Sequence, residues 1–462
     1  MAVTKLFGAS VKRREDPRLI TGRGNFTDHI KLPGTLFMAL KRSPHAHARI
    51  TRIDTSKARS MPGVVAVYTG QDLADKLAPV PCAWLIPDSD LKVPSYRALA
   101  VDKVRYVGDA VAAVVAENRY IAEDAAEAIE VEYEVLPAVV DQEKATQEGA
   151  PQLYDDVPNN IAFHWKLHAG DFDSAWNQAE VKLSRRLINH RLIPTAMEPR
   201  GALAYYNQGT GDLTIWCTSQ NPHVHRLLLS AVTGIPETRI RVIATDVGGG
   251  FGSKIPMYAG EMLASAISRD LGRPIKWFES RRENYVATIH GRDHIQYVDV
   301  AATRDGKITG IRVKSYANLG AYLSTASPGV PTWLFGLMLC GAYTIPVVHV
   351  DVYGVVTNTT PTDAYRGAGR PEATYLLERV MDLLARELRM DPAEIRRKNF
   401  IPKEQFPYTT ATGLQYDSGD YEATLDRALE LVNYQQLRRE QEELRAQGRY
   451  LGIGRASCRE RV

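Results

Sequence analysis

Apolar and polar positions change period several times along the chain, and each change marks an element. Thr35–Lys41 is strand-like, and Ile50–Asp54 begins a second short strand. Val104–Val107, then Gly108-Asp109, then Ala110–Val115 predict an apolar strand. Asn118–Ala128, rich in Ala and Glu, predicts a helix with Tyr120, Ala125 and Ile129 on one face, and Ile129–Val135 alternates again. Residues 16–136 therefore predict one compact α/β domain. Residues 137–160 are polar and carry Pro137, Pro151 and Pro158, which predicts a linker.

A second region spans 161–412. Val181–Asn189, Ala202–Tyr206 and Leu213–Cys217 predict strands, and Pro222–Val232 a helix closed by Gly234. His294–Thr303 and Lys307–Ala317 flank Asp305-Gly306, which predicts a hairpin. Val348–Val356 reads as a strand, and Glu372–Arg389 as a long helix with Leu376, Val380, Leu383, Leu384 and Leu388 on one face. Asp391-Pro392 opens a short helix. Ala423–Arg449 predicts a single charged helix, so 413–452 reads as the start of a further domain that is cut short.

Composition narrows the class. The 462 residues carry 57 Lys+Arg against 54 Asp+Glu, a net charge of +3, and 44% hydrophobic residues. Such a balance gives no ground for a nucleic-acid surface. No apolar run reaches the roughly 20 residues of a membrane span, and the N-terminus has no apolar signal segment. The cysteines Cys82, Cys217, Cys340 and Cys458 form no CxxC, so no local motif builds an iron–sulfur cluster. Dispersed cysteines fit a reducing cytoplasm. Ile453–Val462 (IGRASCRERV) reads as the translation of a sequencing adapter and supplies +2 of the charge of +3. The expectation is a chain interrupted within its gene.

Three motifs carry candidate chemistry. The strand Arg239–Ala244 runs into Asp246-Val247-Gly248-Gly249-Gly250-Phe251-Gly252-Ser253-Lys254, and a helix follows, with Pro256 in its first turn and Ala259, Leu263, Ala266 and Ile267 on its buried face. Strand, glycine loop and helix present backbone N–H groups to an anion, yet the loop is neither a Walker A motif nor GxGxxG. Ala364–Pro371 (AYRGAGRP) sets Arg366 and Arg370 among glycines, which suits a carboxylate, a phosphate or a polarised oxygen; in isolation the motif reads sooner as a surface turn with solvated arginines. Thr218-Ser219-Gln220-Asn221-Pro222 lies at a strand-to-helix junction and could be a cap alone. The HxH pairs His45/His47 and His223/His225 have no third ligand nearby in sequence, so no metal is assigned to them.

Together with Met197-Glu198-Pro199-Arg200, Ser43–Ala48 (SPHAHA) and Val107–Val114 (VGDAVAAV), these motifs resemble the molybdopterin-binding large subunit of the xanthine dehydrogenase and aldehyde oxidase family. The branch most similar is the carbon monoxide dehydrogenase large-subunit-like group called form II. The resemblance covers Val11–Gly452. It implies a mixed α/β (α+β) fold, with an α/β-hammerhead domain followed by the first of two molybdenum-cofactor-binding domains. It further implies that Gly249, Gly250, Phe251 and Gly252 lie against the molybdenum centre, with the N–H groups of Phe251 and Gly252 facing it. Gln220 would bond a molybdenum oxygen from the other side. Arg366 would be the catalytic residue that stabilises developing negative charge and would also face the cofactor.

The resemblance implies an oxidoreductase with molybdopterin, as the cytosine dinucleotide, and molybdenum. Iron–sulfur clusters and FAD would reside on a small and a medium partner subunit, in a dimer of heterotrimers acting on a small molecule. The reaction implied is oxidative hydroxylation of an aldehyde or N-heterocycle, water supplying the oxygen. The family's general-base Glu belongs to the second cofactor domain, beyond this chain, so the chain alone is expected to be inactive. Four positions depart from the specialised branches. Gly367 stands where carbon monoxide dehydrogenases carry the copper-binding Cys. Ile255, Leu334 and Ala368 stand where purine-oxidising relatives carry a Glu, an Arg and a ring-stacking Phe. Two other readings remain: a carbon monoxide dehydrogenase-like activity, and a nucleotide-binding α/β protein that uses the glycine loop for phosphate.

Overall fold

A computed structural model describes residues 9–87 and 89–453. Two large sheets organise the chain. The first is seven-stranded, in the order Ile240–Ala244, Asp212–Cys217, Gly201–Asn207, Ile275–Phe278, Leu36–Arg42, Ala110–Ala116, Val64–Thr69. Its last three strands come from the N-terminal region and its first four from the second. Parallel pairing of Leu36–Met38 with Ile275–Trp277 joins the two groups, so one sheet runs through both. Ala110–Ala116 is buried at all seven positions, with Ala113 and Val115 facing one core and Ala112 and Val114 another. Burial on both faces explains why this strand reads as an unbroken apolar run rather than an alternation.

The second sheet has five strands, ordered Ile161–Ala169, Val348–Val356, Ile308–Gly320, His294–Ala302, Val181–Asn189. Its inner face, including Leu183, Val298, Val313 and Val350, shares a core with Leu376, Val380 and Leu384 of the helix Arg370–Leu388. The predicted hairpin forms, with His294–Ala302 paired antiparallel to Ile308–Ala317. A three-stranded sheet, Lys103–Val104, Ala48–Asp54 and Glu130–Val135, completes the N-terminal region.

Several expectations are corrected. The strand predicted at 104–107 is only Lys103–Val104. Asn118 caps the helix Arg119–Ala128, but the buried face is Ala122, Ala125 and Ala126, and Tyr120 is 76% exposed. The helix after the glycine loop starts at Ala259, so Pro256 precedes it. Residues 137–160 pack: Val139, Ala145, Leu153 and Val157 enter the core of the five-stranded sheet, and Asp141 caps the short helix Gln142–Ala145. Their irregular spacing hides this burial from any periodicity. The charged terminal helix is two helices, Tyr421–Leu431 and Tyr434–Ala446, broken where Asn433 turns left-handed at φ 50. Cys458 and most of the adapter-like segment lie outside the described residues. No described helix is long and apolar enough to cross a membrane.

The N-terminal segment is tied to the start of the glycine loop. Both terminal nitrogens of the Arg18 guanidinium donate to the Asp246 carboxylate, Asn25 N–H donates to it at 2.7 Å, and the Asp246 N–H returns to the Asn25 carbonyl at 3.1 Å. Arg18 first, then the Asn25 N–H, holds the Asp246 carboxyl down at about 2. A depressed carboxyl contributes stability above its unfolded value near 4, and that contribution is lost as pH falls through its folded value. Acidification from about pH 4 toward 2 should therefore raise amide exchange in residues 16–27 ahead of the core strands. Arg18→Ala should show the same release at neutral pH.

Candidate active site

The glycine loop and the arginine loop come from different sheets and meet edge to edge. The first leaves the strand Ile240–Ala244. The second connects Val348–Val356 to the helix Arg370–Leu388. A Cβ on Gly252 would lie 1.8 Å from the Ala364 carbonyl oxygen, so only glycine permits this approach. Next to it, the Arg366 N–H donates to the Phe251 carbonyl at 2.8 Å, and the Arg366 guanidinium carbon is 5.6 Å from the Phe251 ring centroid. Phe251 has φ 54, a strained conformation for a bulky residue, held in place by this contact.

Gln220 reaches the same wall from the third motif. Its Oε1 accepts the N–H of Gly252 at 2.9 Å and of Lys254 at 3.3 Å, while its own N–H donates to the Lys254 carbonyl at 3.0 Å. The structure thus brings Gln220, Gly249–Gly252 and Arg366 together. One detail differs from expectation: the Gly252 N–H is engaged by Gln220 rather than open. The N–H groups of Gly249, Gly250 and Phe251 donate to no described protein atom. Three successive unspent amides beside an exposed guanidinium and a side-chain amide fit an anionic, oxygen-rich group such as a molybdenum cofactor. Gln220, Phe251, Arg366 and Gly367 are all exposed, so the loops form an open wall. A groove of about 540 Å³ between Leu40, Arg42, Trp277 and Glu283 lies elsewhere and includes none of these residues.

Behind the wall stand ion pairs that sequence reasoning left without a role. Glu198 Oε2 accepts the Gly248 N–H at 2.8 Å and the Lys254 ammonium at 2.8 Å, and the Glu198 N–H donates to the Gly248 carbonyl at 3.0 Å. The Lys254 side chain is 1% exposed. Burial lowers its pKa, opposed by Glu198. Arg200, also buried, donates through Nε to both oxygens of Glu279 at 3.0 Å and stacks 3.6 Å from the Tyr258 ring centroid; the Tyr258 hydroxyl in turn donates to the Ser253 carbonyl at 2.7 Å. The MEPR motif marks Glu198 and Arg200 in the sequence, but their partners lie far along the chain. In the HxH pairs, one ring of each bonds a backbone carbonyl: His47 that of Pro137 and His225 that of Ile255. No group of three potential metal ligands occurs among the described residues.

Comparison with known proteins gives the family. The aldehyde oxidase and xanthine dehydrogenase a/b hammerhead domain matches residues 21–137, and the molybdopterin cofactor-binding domain matches 153–400. The chain belongs to the xanthine dehydrogenase and aldehyde oxidase family of molybdopterin-binding proteins. It is 43% identical to the carbon monoxide dehydrogenase large chain of Hydrogenophaga pseudoflava, over 94% of this chain and 55% of that one. It is 30% identical to the nicotinate dehydrogenase large molybdopterin subunit of Eubacterium barkeri, over 91% of this chain and 95% of that one. The crystal structure of quinoline 2-oxidoreductase from Pseudomonas putida 86 superposes with a TM-score of 0.88 at 35% identity, covering 96% of this chain and 56% of that one. The chain thus spans about half the length of its more similar relatives and nearly all of one.

Glu198→Ala would leave the Lys254 ammonium buried without its counter-charge. It should cost about 3–5 kcal/mol of stability in denaturant unfolding, the range for breaking a buried pair. Glu198→Gln, which keeps an acceptor for Gly248, should cost less.

Proposed function

We propose that the chain is the molybdopterin-binding large subunit of a molybdenum hydroxylase. The substrate class is an aldehyde or an N-heterocycle, hydroxylated with oxygen from water. The observation that carries this reading is the convergence of three separate motifs on one wall: Gln220, the unspent amides of Gly249–Phe251, and Arg366. When bound, the molybdenum cofactor supplies the two-electron acceptor. The chain's own residues supply the rest. The amides of 249–251 and Gln220 hold oxygen atoms of the group, and Arg366 meets negative charge that develops on the substrate. We further propose the cytosine dinucleotide form of the cofactor. A small iron–sulfur subunit and a medium FAD subunit receive the electrons, in a dimer of heterotrimers within the cytoplasm.

An N-heterocycle or an aldehyde suits the pocket rim better than a purine. Leu334 abuts the turn at Gly369, and Leu334, Ala368 and Ile255 offer no charge for a purine's polar edge. The names of two relatives, a quinoline oxidoreductase and a nicotinate dehydrogenase, point to the same substrate class. Against the phosphate-loop reading stands Lys254: its ammonium is buried on Glu198 and does not face the loop's ligand side. Against a copper site stands Gly367, which has no side chain to offer. Its φ is 104, and a Cβ there would lie 2.5 Å from Pro371 Cγ, so this backbone does not accommodate cysteine. Because Gln220, Phe251 and Arg366 are exposed along this wall, residues 1–462 expressed alone should retain no stable molybdenum.

In the assembled enzyme, Arg366→Ala should lower turnover about 10²–10³-fold, or roughly 3–4 kcal/mol, with molybdenum content nearly unchanged. Unaltered turnover would place Arg366 outside the pocket. Metal analysis of the same enzyme should find molybdenum without stoichiometric copper.

A further inference from the structure

Arg366 can act on a substrate only if its loop holds still, and one side chain fixes that loop from behind. Arg292 follows Gly291 at the mouth of the strand His294–Ala302, with φ 66 at both Arg292 and Asp293. It is 8% exposed. Its Nη1 donates to the Tyr365 carbonyl at 2.6 Å and its Nη2 to the Arg366 carbonyl at 2.8 Å. Its guanidinium carbon lies 4.9 Å from the Tyr365 ring centroid. Glu372, fully buried in the first turn of the helix Arg370–Leu388, stands 3.6 Å from Nη1. Among the described residues neither Glu372 oxygen has a hydrogen-bond partner, and the Arg292 guanidinium is the cation that stands beside it.

Arg366 is therefore gripped at both ends of its own backbone. Its carbonyl accepts from Arg292 and its N–H donates to Phe251, while its guanidinium forms no ion pair among the described residues and stays exposed. The strained backbone at Arg292 and Asp293 is itself anchored: Arg191 donates to the Asp293 carboxylate at 2.7 Å and to the Thr360 carbonyl at 2.7 Å. A planar fork that satisfies two consecutive carbonyls fixes the peptide between them in a way that a single rotating ammonium does not.

We propose that Arg292, with Glu372 as its buried counter-charge, is the positioning residue for Arg366. It holds the Tyr365–Arg366 peptide so that the Arg366 guanidinium is presented to the substrate in one orientation. The loss of freedom is then met on folding rather than during reaction. This inference rests on the role given to Arg366 above.

The test uses Arg292→Lys, which keeps the charge and most of the length, beside Arg366→Ala. In the full chain, hydrogen exchange at the Arg366 and Ala368 amides should rise about tenfold in Arg292→Lys, with Val348–Val356 unchanged, as expected for local opening. In the assembled enzyme, kcat should fall about tenfold or more with KM within about twofold, and Arg292→Lys should add nothing to Arg366→Ala. Wild-type exchange and wild-type kcat in Arg292→Lys, with Arg366→Ala slow, would overturn the positioning role. Arg366→Ala turning over at the wild-type rate would instead overturn the reading of Arg366; the exchange measurement would still decide whether Arg292 pins the loop. A loss of stability alone would move neither the exchange difference confined to this loop nor the non-additivity.

Discussion

The site depends on one approach of two backbones: Gly252 against Ala364, with no room for a methyl group between them. The glycine loop belongs to the seven-stranded sheet and the arginine loop to the five-stranded one, so this contact registers one sheet against the other. Everything nearby serves that registration. The Phe251 carbonyl takes the Arg366 N–H, Gln220 bridges Gly252 and Lys254, and the N-terminal segment clamps Asp246 at the loop's start. Because strands of the N-terminal region complete the same sheet, that region is part of the site's scaffold rather than an appendage.

The scaffold is unusually polar for a buried one. Glu198 with Lys254, Arg200 with Glu279, and Glu372 with Arg292 all lie behind the loops. Removing charges from water costs several kcal/mol per ion, so these pairs are poor devices for stability alone. What they provide here is direction. Each fixes a backbone N–H or carbonyl of a loop: Glu198 that of Gly248, Arg292 those of Tyr365 and Arg366, and Arg200 through Tyr258 that of Ser253. The open face of the loops can then carry unspent donors without the loops collapsing onto them.

Much of this was legible in the sequence, for physical reasons. Strands with one buried face alternate, so Val181–Asn189 and Val348–Val356 match their predicted bounds, and the Asp305-Gly306 turn marked its hairpin. The motifs were legible because glycine and arginine are conspicuous by type. Tyr120 misled because a short amphipathic helix beside an Ala-rich strand buries its alanines instead. The 137–160 stretch misled because loop residues pack without a period. The roles of Glu198 and Lys254 were hidden because they are 56 residues apart, and nothing local announces a long-range ion pair. The left-handed backbone at Arg292 and Asp293 carries no compositional mark, unlike the left-handed glycines Gly249 and Gly252 of the glycine loop.

The open wall of Gln220, Gly249–Phe251 and Arg366 is proposed to hold a molybdenum cofactor. The most direct measurement is molybdenum bound per chain in the assembled protein, wild type against Gly250→Val. A side chain at Gly250 would point at Gln220, whose Oε1 lies 2.4 Å from the Cβ position, and would intrude on the unspent amides. Close to one molybdenum per wild-type chain is expected, and a trace in a variant that remains folded by circular dichroism. Wild-type molybdenum content in folded Gly250→Val, or none in the wild type, would contradict the proposal.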